Sequence, residues 1–415
     1  MTQLVGAAVL SVFAVTGTFG QSLDSANGNL ALAGATIYVG PSEEPLRDGV
    51  VLIRGVTIVA VGSRTSIPLP SGTTTLDCSG LTITAGFWNC HAHFFERKWA
   101  SAATIPAPEL GRQIQDMLTR YGVTSVFDIG SMWDNTRRLR ERIESGEVAG
   151  PRIRTTGEAL VAPVAIPPER VLGLLGFMSF PSPEITDAAQ AVRATRKLLD
   201  KGVDGIKLHL QPPPSPGPAF PQEAIPAAVE EAHRSGKPVF LHPSSGADVL
   251  AAARAGVDVI AHTTPRTGPW DETILKAMRD RQVALTPTLS IWRQMLRHDR
   301  ISAQQEQVDA AIDQLRAWVA AGGTVLVGND LGAVDYDPSE EYVLMSRAGM
   351  SFRQILASLT TAPAERFGES KRLGRIAKGL QADLVVLKDD PARDIRALAA
   401  VKYTLRGGNV VFQAD

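Results

Sequence analysis

Cysteine is scarce in this sequence, net charge is almost nil, and apolar runs are short; each shortage excludes a class of function. The 42 lysines and arginines are matched by 43 aspartates and glutamates, a formal net charge of −1. No basic tract and no interleaving of basic with aromatic residues occurs, so nothing electrostatic favours a nucleic acid or an anionic membrane as partner. Cys78 and Cys90 are too few for a disulfide framework, and no C-x-x-C pair exists to hold a thiolate zinc site. Two reduced or buried cysteines are the plain reading, with a single disulfide as the alternative. One apolar run stands out, from Leu4 to Val15, inside residues 1–20, which carry no charged side chain. With small residues Thr18 and Gly20 just before Gln21, this stretch reads as a secretory signal, although no Lys or Arg precedes the run. It is too short for a membrane span, and no later stretch is longer. The expected location is therefore outside the cytoplasm, periplasmic or extracellular, or the cytoplasm if residues 1–20 are not a signal.

What is present is apolar material in quantity, 44% of the residues, enough for one large core and a smaller one. Both ends are β-rich. LALAGATIYVG, GVVLIRGVTIVAVG and TTTLDCSG open the chain, and ADLVVLKDD and VKYTLRGGNVVF, with a hairpin signal at Gly407–Gly408, close it. Between them strand and helix alternate. Strands are expected at 83–90, 123–128, 152–158, 203–209, 238–242, 257–262, 283–288 and 324–329, and the segments between show helical periodicity, several closing on a glycine. These units fit a (β/α)₈ barrel of residues 86–374 beside a small β-sandwich built from 28–85 and 375–415. A doubly wound open sheet is the alternative, but it would draw its ligands from one switch point. Proline-rich loops at 163–168 and 211–221 follow strands and either shape a substrate mouth or act as rigid connections.

Seven histidines occur, His91, His93, His209, His233, His242, His262 and His298. His91 and His93 close the first barrel strand two residues apart, so both imidazoles can turn to one ion. His242 closes FLH and His262 closes VIAH. One such histidine would be read as a satisfied core residue; four on three strands, at the end of the barrel that carries catalysis, point to metal. Asp330 follows strand 8, which a barrel sets beside strand 1, though an aspartate there also suits a helix N-cap. Lys207 lies on strand 4 in DGIKLHL. A protonated lysine beside metal cations would be repelled, whereas a buried neutral one can take up CO₂ as an anionic carbamate. His209, two residues on, is either a ligand in its place or lies at another depth.

The ordered set resembles the amidohydrolase superfamily. AGFWNCHAHF resembles its strand-1 metal motif, and GVDGIKLHL the strand-4 motif of members with a carboxylated lysine. FLHPSS followed by VIAHTTP resembles the strand-5 and strand-6 pair, GTVLVGNDLG the strand-8 motif, and the segment from LTTAPAERFGES to ADLVVLKDDP the return to the sandwich. Within the superfamily it looks most similar to the imidazolonepropionase-related branch of Xaa-Pro dipeptidase-like enzymes and ochratoxin-type amidases. The resemblance implies two divalent metals, usually zinc: one on His91, His93 and Asp330, the other on His242 and His262, with carboxylated Lys207 bridging them. It also implies a shared hydroxide as nucleophile, Asp330 as general base and then acid, His262 helping to position the carbonyl, and a small amide substrate, a dipeptide or N-acyl amino acid. Opening of a cyclic amide or lactone, deamination, and a secreted binding protein without catalysis are the alternatives; Lys207 speaks against deamination and the complete ligand set against loss of catalysis. A homo-oligomer is compatible with such enzymes. Asn89–Cys90, Pro243–Ser244–Ser245 and Thr263–Thr264–Pro265 depart from the usual text, in loops that line the pocket. No residue matching a substrate-carboxylate grip is found; Arg293 is the one candidate, and an exposed arginine is the plainer reading.

Overall fold

The computed structural model describes residues 28–163, 173, 176–210, 219–295 and 301–415. The expected leader 1–20, most of both proline-rich loops and His298 lie outside the described residues.

Five strands open the chain: β1 (Asn29–Ile37), β2 (Leu46–Arg54), β3 (Thr57–Ser63), β4 (Thr74–Asp77) and β5 (Thr82–Ala85). β1 pairs antiparallel with β2 and parallel with β4 and β5. Its alternation divides two faces: Leu30 and Leu32 join one core cluster, Ala31 and Ala33 another.

Gly86 alone separates β5 from β6 (Phe87–Ala92), the first barrel strand. The single strand expected at 83–90 is therefore two strands in two sheets. Both are apolar, so composition conceals the break. A Cβ at 86 would lie 2.3 Å from Thr124 Oγ1, which is why only glycine allows the chain to change sheets there.

The barrel continues through α1 (Ala107–Met117), β7 (Val123–Asp128), α2 (Trp133–Glu144), β8 (Arg152–Thr155) and β9 (Leu160–Val161). β8 pairs with β7, whereas β9 pairs with the next strand. The strand expected at 152–158 thus breaks at Gly157, which has φ +64°, and resumes beyond it. Then follow α3 (Ala188–Lys201), β10 (Ile206–His209), α4 (Ala224–Arg234), β11 (Val239–His242), α5 (Gly246–Ala255), β12 (Val259–Ala261), α6 (Glu272–Asp280), β13 (Ala284–Thr286), α7 (Leu289–Met295), α8 (Ile301–Ala320) and β14 (Thr324–Val325). Side chains of Asp187, Ser245 and Asp271 cap α3, α5 and α6, and left-handed Gly202 and Gly256 end α3 and α5.

The barrel pairings are all parallel. Closure comes from the segment after β14: Cys90 N–H donates to Val327 O at 2.7 Å, Asp330 N–H to His91 O at 3.0 Å and His93 N–H to Leu331 O at 2.7 Å. Trp88, Phe127, Phe240, Val259 and Ala284, from five strands, and Leu326 just after β14 form one cluster, as a barrel interior brings together, with Phe367 packed into it.

The chain leaves through α9 (Ser339–Arg347), α10 (Phe352–Leu359) and α11 (Thr361–Arg366) and returns to the first sheet as β15 (Leu384–Leu387), β16 (Val401–Arg406) and β17 (Asn409–Gln413). β15 pairs antiparallel with β5, uniting both chain ends. Gly407 and Gly408, at φ +54° and +77°, turn the last hairpin. The sandwich is fixed to the barrel by Arg152 of β8, paired with buried Asp383, and by Thr404 Oγ1 donating to Thr119 O at 2.6 Å. The architecture is the expected (β/α)₈ barrel with a small β-sandwich from both ends.

Candidate metal centre

β6 and the strand-8 segment deliver the first group of polar side chains. His91 Nε2 and His93 Nε2 lie 3.3 Å and 3.0 Å from Asp330 Oδ1, and ligand atoms of the three residues all fall within 4.8 Å of one another. The strands touch at glycine: a Cβ on Gly328 would sit 2.6 Å from His91 Cβ, and one on Gly332 would sit 2.4 Å from His93 O. Gly328→Ala is expected to destabilise the protein by about 1–3 kcal/mol through overpacking and to lower bound metal; an unchanged Tm and metal content would count against this closure.

The remaining imidazoles extend the group. Ring centroids are 5.2 Å apart for His91–His93, 4.6 Å for His91–His262 and 4.5 Å for His242–His262. His209 is register partner to His242 on β10 and β11, and the two rings stack at 4.2 Å. Lys207, also on β10, is 2% exposed, and its Nζ has no hydrogen-bond partner among the described residues. The expected ligands thus meet at one end of the barrel. His233 does not join them; it pairs with Asp258 at 2.8 Å. Arg293 is half exposed and paired with Glu340.

Burial dominates the electrostatics. It pushes His91 and His242 well below the usual imidazole range, and His209 and His262 down to about 3, with neighbouring imidazoles and Lys207 adding to the effect and Asp330 opposing it at His262 and His209. Neutral imidazoles keep a ring lone pair for a cation. Burial lowers Lys207 to about 7, against a smaller opposing pull from Asp330. Burial also works to raise Asp330, but the hydrogen bond and charge of His93, with His262 and Lys207, hold its carboxyl below the usual range. The orphaned Nζ of Lys207, the clustered imidazoles and one carboxylate are a donor set that suits divalent cations.

Several supporting residues carry no motif of their own. Asn89, which looked like a departure from the usual strand-1 text, donates through Nδ2 to Asn329 Oδ1 at 2.6 Å and accepts from His91 N–H at 3.1 Å. It bridges strands 1 and 8 beside the histidines. Asp128, fully buried at the end of β7, accepts from the hydroxyls of Ser131, Thr136 and Thr155, and Ser131 Oγ accepts from Phe94 N–H next to His93. Of the five non-glycine residues with positive φ among the described residues, three lie here: His262 at +77°, Thr288 at +46° and Asp330 at +63°. Left-handed conformations in such residues cluster at functional sites. Asn89 meets its side-chain partner 240 residues away, which leaves no local signal.

A wall of aromatic rings flanks the group. Phe95 stacks on His93 at 4.7 Å and meets Phe177 edge-on at 4.6 Å.

Known proteins of the same build share this arrangement of domains. Ochratoxinase of Aspergillus niger is 26% identical over 432 aligned residues, covering 94% of this chain and 88% of the relative. Its crystal structure superposes with a TM-score of 0.75 at 22% identity, covering 92% of this chain and 94% of the other. A Xaa-Pro dipeptidase with methionine bound in its active site gives a TM-score of 0.77 at 21% identity, over 93% of this chain and all of the other. The sequence pattern of the amidohydrolase family matches residues 82–411, from the last strand before the barrel to the final hairpin, so the chain belongs to the amidohydrolase family.

Proposed function

We propose that this protein is a metal-dependent hydrolase of carbon–nitrogen amide bonds, acting on a dipeptide or an N-acyl amino acid. The carrying observation is Lys207, a buried amine with no partner among the described residues, in a ring of imidazoles closed by one carboxylate. A buried polar group without a partner is costly, and the cost is removed when the site binds what the group is built for.

His91, His93 and Asp330 would hold one divalent cation, His242 and His262 the second, and Lys207 both, as a carbamate. The carbamate forms when the neutral amine attacks CO₂: an N–C bond is made and a proton leaves nitrogen for solvent. Bound there, the two cations would lower the pKa of water and polarise the scissile carbonyl.

The chain's own residues do the rest. Asp330, ionised and 5% exposed, takes a proton from the attacking water and delivers it to the departing amine nitrogen. Neutral His262 helps to orient the carbonyl. Phe95 and Phe177 limit water at the side of the site next to His93. That an ochratoxinase and a Xaa-Pro dipeptidase share this build supports an amide substrate of this size.

The test is to purify the chain with zinc and bicarbonate, count metal per chain and screen dipeptides and N-acyl amino acids for amine release. Two metals and release from at least one class are expected. One metal with no release would replace this reading with a mononuclear enzyme of other chemistry.

A further inference from the structure

One hydroxyl faces the His262 ring at Nδ1 and bears on where its proton sits. Thr288 Oγ1 lies 2.6 Å from His262 Nδ1 and donates to Pro287 O at 2.9 Å. A hydroxyl has one proton. With that proton given to the Pro287 carbonyl, the contact with His262 requires the ring proton on Nδ1. A neutral ring protonated at Nδ1 has its lone pair on Nε2. The Nδ1 atoms of His91 and His93, by contrast, have no partner among the described residues.

Thr288 would not adopt its conformation unaided. It is β-branched with φ +46°, in the left-handed region that such residues avoid. The next two backbone N–H groups, of Leu289 and Ser290, both donate to the carboxylate of Glu341, each at 2.8 Å. Glu341 comes from α9 and is completely buried. The same short helix α7 that begins at Leu289 also reaches the residue after His262: Trp292 Nε1–H donates to Thr263 Oγ1 at 2.9 Å. His262 itself has φ +77°, in the same left-handed region.

We propose that Thr288, locked by the Glu341 carboxylate, is the positioning residue that selects the Nδ1–H tautomer of His262 and so presents Nε2 to a metal ion. Neither residue touches substrate in this role. The inference rests on the metal-centre reading of His262 given above, and the test separates the two.

The full-length chain, loaded with zinc in bicarbonate, is titrated with a chromophoric chelator, and metal-free samples are examined by ¹⁵N imidazole NMR. In the parent, two zinc ions are expected and His262 shows Nδ1–H. Thr288→Val keeps shape and branching but removes the acceptor; it is expected to weaken the more loosely held zinc by about 10–100-fold and to lose the Nδ1–H signature. Thr288→Ser restores both. Glu341→Gln offers one acceptor oxygen to two N–H donors and is expected to fall between parent and Thr288→Val. Parent-like zinc affinity in Thr288→Val, an unchanged tautomer, or no rescue by serine overturns the role of Thr288. Parent-like behaviour of Glu341→Gln overturns the part given to Glu341. A parent that binds no zinc overturns the metal-centre reading, and the presentation of Nε2 to metal falls with it; the NMR arm still decides the tautomer.

Discussion

Asp330→Asn is expected to retain most of its metal and to lose activity by about 10²–10⁴-fold, the usual contribution of a positioned general base and acid. The substitution is informative because it isolates the proton. Asparagine has the same shape as aspartate and keeps one oxygen that can face His91 and His93, now 3.3 Å and 3.0 Å from the carboxylate. It also tolerates the left-handed backbone at +63°, which asparagine enters more readily than most residues. Fold and most ligand geometry should therefore survive, while the group that accepts a proton is gone. Asp330→Ala would confuse the effects, because alanine strains at that φ and offers no ligand atom. The check is kcat alongside metal per chain. Turnover within a few-fold of the parent, at equal metal content, would remove Asp330 from the proton path.

How far the sequence already disclosed this site depends on whether a residue's partner is local. His91 and His93 were legible because a strand fixes the direction of i and i+2 together. His242 and His262 were legible because each ends an apolar run, and a barrel brings such ends to one face. The eight-unit pattern carried the fold, but two boundaries were invisible in it. Gly86 sits in a continuous apolar run, and only the backbone approach to Thr124 reveals it as the place where the chain changes sheets. Gly157 likewise interrupts a strand that β propensity runs straight through. The supports of the site were not legible. Asn89 meets a partner 240 residues away in Asn329, and the Glu341 carboxylate meets N–H groups more than fifty positions upstream. Such contacts leave no periodicity and no motif. Asn89 even looked like a defect in the strand-1 text, whereas its side chain joins the two strands that carry His91, His93 and Asp330.

Lys207→Met should reverse the order of stabilities between metal-free and metal-loaded protein. In the metal-free chain, in buffer cleared of CO₂, the lysine is a buried amine without a partner. Burial depresses it from 10.5 to about 7. The unfolded chain therefore binds more protons than the folded one between about 7 and 10.5, so stability rises with pH across that window. Below about 7 the cost is complete and stops growing. Each unit of depression corresponds to about 1.4 kcal/mol, so the metal-free variant, with an apolar chain of similar length, is expected to be more stable than the parent near neutral pH by a few kcal/mol, and its pH dependence in the window should flatten. With zinc and bicarbonate the order is expected to invert. On the proposed reading the parent would gain the binding free energy of two metals held by the carbamate, while the variant would hold one or fewer and lose nearly all activity. Urea unfolding with and without zinc and bicarbonate, at several pH values, reads both halves. A lysine serving only as packing gives a different pattern: methionine would then shift stability in the same direction in both conditions and leave metal content unchanged. That pattern would take Lys207 out of the metal centre; a crossing of the two curves would mean that the amine's burial is tolerated in the free chain because the loaded site requires it.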